Sequence, residues 1–217
     1  MKGVTPGGAL AGFLVALAIF LGAGLSGFAV VFGVFLITAL ATRWRHRLKE
    51  QYGKAAQTGG RNGWQVLANL FAAAAVSAAC IAYPRAFDFL MPGMIAALAE
   101  AASDTVSSET GEAIRGRTYM IVGFQRVDAG PDGGISAAGT LFGASAALSV
   151  GVLAWVTGLL DLRWALLSAA SGFLGMLFDS VLGATVEKRG VLGNDGVNFL
   201  STVFAADLAL LLSWWIG

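Results

Sequence analysis

The sequence predicts an all-α protein, a single transmembrane domain over residues 1–217 that forms a polytopic bundle of about seven spans. Hydrophobic residues occupy 57% of the 217 positions and charged residues only 12%, whereas a soluble domain normally carries about 25% charged residues. Long apolar runs rich in Gly and Ala recur along the chain, and a bilayer core takes roughly 20 such residues per helix. The net charge of +1 argues against a nucleic-acid partner.

The predicted elements, in chain order, are seven apolar segments. They are residues 7–24, 26–43, 63–83, 88–107, 138–158, 163–183 and 197–216. A secretory signal peptide is the alternative for the first segment, although Lys2 is the only charge that precedes it.

Lysine and arginine predict the orientation, because cytoplasmic loops carry an excess of both. With the N-terminus in the cytoplasm, the inner segments hold twelve of these residues and the outer segments hold two, Arg85 and Arg163. We therefore expect an integral, multi-pass membrane protein with a cytoplasmic N-terminus. The polar motifs then all lie at the cytoplasmic ends of helices, so the active site is expected on that face. These motifs are GRNGWQVLAN, DTVSSETGE, GPDGGISAAGT, DSVLGAT and GNDGVN.

Two stretches resemble each other and indicate parallel repeats of helical hairpins, a common way to build polytopic folds. DTVSSETGEAIRG begins at Asp104 and DSVLGATVEKRG begins at Asp179. Each has Thr six residues and Glu eight residues after its Asp. Chance similarity in Ala/Gly-rich sequence is the alternative. The second and third segments, which residues 44–62 join, would form a diverged third copy of the hairpin. If the repeat is real, Asp104 and Asp179 occupy equivalent positions around a shared cleft.

Carboxylates near helix ends are the strongest chemical signal, because an ionisable group in lipid is costly unless it faces a cavity or a partner. A carboxylate cluster without His or Cys favours hard cations, above all Mg²⁺. The candidate metal ligands and catalytic residues are Asp104, Glu109, Asp132 and Asp179. Glu109 belongs to this set only if the helix ends nearby, since it otherwise points about 140° away from Asp104. Structural ion pairs with Arg61, Arg115 or Lys188 are the alternative for Asp104 and Asp179, and they are the favoured interpretation for Glu100 and Glu112. For Asp207, deep in the last span, we expect a hydrogen bond between helices.

Two further motifs offer phosphate-binding groups. A glycine-rich loop before a helix can cradle phosphate oxygens with backbone N–H groups, and a tight turn with ordinary N-capping is its alternative. Arg61 can hold a phosphate in fork geometry or anchor a lipid headgroup. The expected phosphate- and nucleotide-binding residues are Arg61, Gln65, Asn69, Ser107, Ser108, Gly133, Gly134, Ser136, Thr140, Lys188 and Asn198.

Six motifs in this order resemble the phytyl-phosphate kinase family of polytopic membrane proteins, which includes enzymes of tocopherol biosynthesis. They are TPGGALAG, ATRWRHRLKEQYG, GRNGWQVLAN, AEAASDTVSSETG, DGGISAAGT and DSVLGAT. In the family pattern DT.SSE.G, the matching residues here are Asp104, Ser107, Ser108, Glu109 and Gly111. In DGG.S..GT they are Asp132, Gly133, Gly134, Ser136 and Thr140. Asn62 and Pro131 depart from the family, which often has Arg and Thr at these positions.

The resemblance implies transfer of a phosphoryl group from a nucleoside triphosphate, with CTP favoured, to an isoprenyl (phytyl-like) monophosphate lipid. The product is the diphosphate, and Mg²⁺ is the expected cofactor. The alternatives are a lipid-phosphate nucleotidyltransferase, which would release pyrophosphate, and a small membrane transporter. Membrane lipids are expected contacts, and a homo-oligomer is left open.

Overall fold

The computed structural model describes residues 4–44 and 60–216. In this part of the chain, six continuous helices are long and apolar enough to cross a membrane. They are α1 (Pro6–Arg43), α2 (Gly63–Ala82), α3 (Phe87–Ile114), α4 (Ala137–Val156), α5 (Leu162–Leu182) and α6 (Asn194–Ile216). The predicted helical membrane bundle is confirmed.

Helix α1 accounts for two of the predicted spans, because its backbone leaves the helical conformation at Gly24 (φ 64°, ψ −160°). Glycine adopts this positive φ without a steric penalty. Gly8, near the start of α1, packs against the Arg61 backbone just before α2. Trp44, at its end, packs against Phe142 in the first turns of α4, with ring centroids 6.3 Å apart.

Both ends of α1 therefore lie at one end of the bundle, since α2 and α4 begin there beside the last turns of α3. Arg61 Nη2 donates to Thr105 Oγ1 (3.3 Å), and a side chain at Gly139 would meet the Ser107 carbonyl. The Ser26 hydroxyl, just past the break, donates to the Thr157 carbonyl (2.8 Å) beyond the far end of α4. Each arm of α1 thus crosses the bundle, which gives seven crossings within residues 4–44 and 60–216.

The start of α1 also contacts the segment just before α2. Thr5 N donates to the Arg61 carbonyl (3.0 Å), and the Thr5 hydroxyl accepts from Gly8 N (3.1 Å), which caps α1. Pro6 at the first helical position is preorganised for the helix. The motif TPGG therefore starts a helix and fixes Arg61 beside α3.

Helix α3 is the centre of the bundle. It packs against the other five helices, and all but one of its residues from Met91 to Val106 are buried. Small residues on its neighbours allow close approach, as is typical of membrane helix packing. A side chain at Gly172 of α5, for example, would meet the α3 backbone at Glu100 N, 2.8 Å away.

The all-α prediction needs one addition. After α3 the chain forms a three-stranded antiparallel sheet in the order β2-β1-β3. The strands are β1 (Thr118–Met120), β2 (Arg126–Val127) and β3 (Gly134–Ser136). They lie at the end of the bundle where α3 and α5 end and α4 and α6 begin, which we call the polar end.

The loops of the polar end contain Arg115, Arg117, Arg126, Lys188 and Arg189, whereas Arg85 and Arg163 lie at the opposite end. Residues 45–59, which contain most of ATRWRHRLKEQYG and of the segment 44–62, fall outside the described residues, so the diverged third copy stays untested.

Candidate functional site

The polar end contains a cavity of about 230 Å³. Its walls are the last turns of α3, the loop before α4, and the end of α5 with the single π-helical turn Gly183–Glu187 that follows it. Five carboxylates line it: Asp104, Glu112, Asp132, Asp179 and Glu187. Three of the four predicted metal ligands are therefore brought together.

Asp104 lies beside a positive charge. The Arg61 guanidinium acts on its carboxylate at electrostatic range, and the Ser108 hydroxyl lies near that carboxylate, one turn further along α3. Because Arg61 also donates to Thr105, its guanidinium is held against α3. Arg61 thus adjoins the cavity through Asp104 and is not itself part of the lining.

Asp179 is held by hydrogen bonds from α6. Ser201 Oγ donates to Asp179 Oδ2 (3.1 Å). With the Asn198 amide oriented to satisfy its neighbours, its nitrogen donates to the same oxygen (3.3 Å) and its oxygen accepts from Asn69 Nδ2 (3.1 Å). The predicted site residues Asn69 and Asn198 therefore form a chain of amides that orients Asp179, and they do not line the cavity.

The two repeat segments occupy matching positions. Thr110 and Thr185 each donate a hydrogen bond of 2.6 Å to the carbonyl four residues earlier. Their helices α3 and α5 both run towards the polar end. Asp and Glu occupy the first and ninth positions of each segment, and all four line the same cavity: Asp104, Glu112, Asp179 and Glu187. The equivalence of Asp104 and Asp179 inferred from the sequence holds in space.

Glu100 lies one turn deeper than Asp104 and is only 1% exposed. Among the residues that the structure describes, its Oε1 has no hydrogen-bond partner, so the structural ion pair expected for it is not what the structure shows. Gly175 precedes Asp179 by four residues, just as Glu100 precedes Asp104, and it faces Glu100. A Cβ on Gly175 would come 2.7 Å from Glu100 Cγ. The absence of a side chain at Gly175 therefore leaves the space that the Glu100 side chain occupies.

The glycine-rich loop is a close-packed turn. Gly133 has a φ of 78° and approaches Ala184, where a Cβ would come 2.5 Å from the Ala184 nitrogen. Gly134 N donates to the Pro131 carbonyl (3.0 Å). Ser136 caps α4 by accepting from Gly139 N (3.1 Å). These contacts match the alternative of a tight turn with N-capping, although Gly133, Gly134 and Ser136 also line the cavity.

Four further predicted site residues, besides Arg61, Asn69 and Asn198, lie away from the cavity lining. Helix α3 continues to Ile114, so the expected helix end near Glu109 is wrong and Glu109 points away from Asp104. Gln65 Oε1 accepts from Asn62 N (2.9 Å) in a capping box at the start of α2, which also gives the departure at Asn62 a structural role. Thr140 lies in the first turn of α4, and Lys188 is exposed just beyond the cavity rim.

Sequence reasoning passed over several cavity residues. Glu112 and Glu187 were noted as repeat partners but not predicted as site residues, and the repeat itself was the signal for them. Ser180, Asn194 and Thr118 also line the cavity, and nothing in their local sequence indicates it.

The donor set fits a hard cation together with phosphates. Asp179 experiences the repulsion of Asp104, Asp132 and Glu187, so a cation in the cavity would relieve like-charge crowding. Within residues 4–44 and 60–216, no group of three His, Cys, Asp or Glu side chains is arranged to hold a metal ion alone.

The fold and the cavity define an integral membrane protein with a polar site at the ends of its helices. The family described as "Integral membrane protein DUF92" matches residues 1–206. The chain belongs to this family, and the resemblance to the phytyl-phosphate kinase family is confirmed.

Three relatives cover nearly the whole chain. Uncharacterized membrane protein sll0875 of Synechocystis is 31% identical over 96% of this chain and 82% of its own length. Protein VTE6, chloroplastic, of Arabidopsis thaliana is 30% identical over 100% of this chain and 67% of its own. Protein PGR of the same plant is 28% identical over 99% and 91%.

Uncharacterized membrane protein MJ0933 of Methanocaldococcus jannaschii is 34% identical over 58% of this chain, and the match covers about half (52%) of its own length. No solved structure matches the chain.

Proposed function

We propose that this protein transfers a phosphoryl group from a nucleoside triphosphate, CTP first among them, to an isoprenyl monophosphate lipid. The product is the isoprenyl diphosphate. The reaction takes place at the polar end, which we assign to the cytoplasmic face because the basic loops lie there.

One observation carries the proposal: Asp104 and Asp179, from two matching helix ends, meet Asp132 in a single cavity at the membrane surface. Phosphoryl transfer requires mainly positioning and charge neutralisation. Paired carboxylates that can share a cation, with an arginine beside them, are groups suited to that task.

Asp104, Asp132 and Asp179 would hold Mg²⁺, directly or through water, and Glu109 is not part of this set. The ion, when bound, supplies positive charge to the donor phosphates. Arg61 neutralises a phosphate oxygen next to Asp104, and Lys188 at the rim is placed to attract the incoming nucleotide. The amide chain from Asn69 through Asn198 keeps Asp179 in position.

In the transfer step, an oxygen of the lipid phosphate attacks the terminal phosphorus of the nucleotide. The bond from that phosphorus to the bridging oxygen breaks, and the nucleoside diphosphate leaves with the bonding electron pair. No strong general base is needed, because the attacking phosphate is already anionic.

The cavity volume of about 230 Å³ is smaller than the roughly 300–1,000 Å³ of pockets that enclose a drug-sized ligand. It suits reacting phosphates better than a whole nucleotide. The nucleoside would therefore extend into water, and the isoprenoid tail would lie in the membrane beside the helices.

Support from relatives is at the level of the family. VTE6 aligns over the full length of this chain, and the family resemblance implies phytyl-phosphate kinase activity. The isoprenoid length and the nucleotide base are parts of the proposal that rest on this likeness alone.

The test incubates the purified full chain in liposomes with Mg²⁺, each of the four ribonucleoside triphosphates, and phytyl, geranylgeranyl or farnesyl monophosphate. Both products are identified by mass spectrometry. We expect isoprenyl diphosphate and nucleoside diphosphate in equal amounts, no product with EDTA, and recovery when Mg²⁺ is restored.

A nucleotide-linked lipid with pyrophosphate would replace the kinase assignment by nucleotidyl transfer. No product with any donor and acceptor pair, from protein that retains its thermal transition, would overturn both enzyme assignments and favour transport.

A further inference from the structure

Asp207 lies in the middle of α6 and faces outwards from the bundle. The sequence predicted a hydrogen bond between helices for it, and this prediction is wrong within the described chain: Asp207 is exposed and makes no hydrogen bond or ion pair among residues 4–44 and 60–216. The buried face of α6 packs against α2, α3 and α5, and Asp207 lies on the other side.

The position of Asp207 makes its exposure costly. It follows Asn194 by 13 residues and precedes Ile216 by nine, which places it roughly 20 Å from one end of the helix and 14 Å from the other. A charged side chain at this depth in lipid is unfavourable by several kcal/mol. The aspartate side chain is too short to reach either interface, so the bilayer alone leaves it without a partner.

Asp207 belongs to a narrow stripe on α6. Leu200, Leu211 and Trp214 are exposed and, with Asp207, lie within about 60° of one another around the helix axis. Their spacings of seven, four and three residues are those of a helix–helix seam. A polar group in the middle of such a seam commonly specifies one pairing of helices.

We propose that this stripe is the interface with a second copy of the chain, related by a twofold axis along the membrane normal. All copies insert in one orientation, so Asp207 of each copy lies at the same depth as its own counterpart. A residue near the axis of such an interface meets itself. The two carboxyl groups then lie against each other, and each becomes the other's hydrogen-bonding partner.

The interface contributes no residue to the cavity at the polar end, so the proposal stands independently of the proposed reaction. It predicts that association and activity respond to different substitutions.

The experiment uses purified full chain in liposomes, where a second copy is the only protein available. Cys80, the single cysteine, is replaced by alanine, and Leu211→Cys reports on the stripe with Asp207 intact. Leu148→Cys on α4 is the control, because Leu148 is also exposed (47%) and lies on a different helix, away from the stripe. After mild oxidation, we expect a disulfide-linked dimer with Leu211→Cys and little with Leu148→Cys.

Asp207→Leu and Asp207→Asn are then added to the Leu211→Cys protein. Loss of a hydrogen bond between membrane helices should weaken dimerisation roughly 3- to 30-fold for the leucine variant, whereas the asparagine variant can still pair and should keep most of the cross-link. Equal cross-linking at Leu211 and Leu148, no cross-linking at Leu211, or an unchanged yield with Asp207→Leu would each overturn the proposal. A thermal melt of every variant verifies folding.

Discussion

Helices α3 and α5 bring the same sequence pattern to one cavity from different surroundings. Helix α3 is buried on nearly all sides and continues as a regular helix to Ile114. Arg61, which precedes α2, lies beside its Asp104. Helix α5 changes to a π-helical turn after Asp179 and holds that carboxylate with neutral groups of α6. Matching acids are therefore kept in one site by two means: the Arg61 guanidinium beside Asp104, and oriented hydrogen bonds to Asp179.

The largest effect should come from the acids themselves. Asp104→Asn and Asp179→Asn should each lower kcat by roughly 100- to 1,000-fold, the range seen when a group that stabilises developing charge is removed. Initial rates of diphosphate formation measure this. Asp128→Asn, exposed at the same end and off the cavity, is the control and should retain full activity. If only one of the two variants were impaired, the functional equivalence of the two helices would be wrong.

The positive charge beside α3 should matter next. Arg61→Gln removes the charge-assisted interaction at Asp104 and at the bound phosphate, so kcat/KM should fall roughly 10- to 100-fold. Arg61→Lys retains the charge but not the fork, and should recover part of the loss. The same steady-state assay applies, and full activity of Arg61→Gln would remove this residue from the proposed site.

The contrast between Glu100 and Gly175 can be tested through stability. Gly175→Ala adds a Cβ that would meet Glu100 Cγ at 2.7 Å and Ala205 Cβ at 2.8 Å, so overpacking should destabilise the fold by about 1–3 kcal/mol. Thermal unfolding in detergent measures the change. Gly12→Ala, with no atom within 4 Å of its Cβ, is the control.

A second substitution separates the two contacts. Glu100→Ala in the Gly175→Ala protein should recover part of the lost stability, because the Glu100 side chain then no longer meets the added methyl group. Destabilisation that is unchanged in the double variant would assign the whole effect to α6 instead.

The smallest effect on activity should come from substitutions of Asn69 and Asn198, whose amides orient Asp179. Asn198→Ala removes one donor to Asp179 while Ser201 keeps the other, so activity should fall only roughly 3- to 10-fold, the value of one ordinary hydrogen bond. Asn69→Ala should act in the same direction and add little to Asn198→Ala. Strictly additive losses in the double variant would show that the two amides act separately.

The sequence was sufficient for the features that depend on local pattern. Hydropathy predicted seven apolar segments, because each crossing must be apolar over its own length, and the boundary that it predicts between residues 24 and 26 coincides with the break at Gly24. The repeated spacing of Asp, Thr and Glu predicted that Asp104 and Asp179 would be equivalent, since helices of the same direction and pattern end in the same way.

Other features could not be read from local pattern. Glu109 and Glu112 lie three residues apart in one motif, and only the continuation of α3 to Ile114 decides which of them reaches the cavity. Gln65 and Asn69 share a helix face, yet one caps its own helix and the other joins the chain to Asp179.

The amino-acid sequence was enough to show that this chain spans a membrane, which end of the helical bundle is basic and where its acids accumulate. These properties follow from composition and from spacing along one helix. The tertiary structure decided which acids meet, that Glu100 is enclosed by Gly175, and that Asp207 faces outwards. Each of these depends on the rotation of one helix against another, which is set by contacts between residues far apart in the chain.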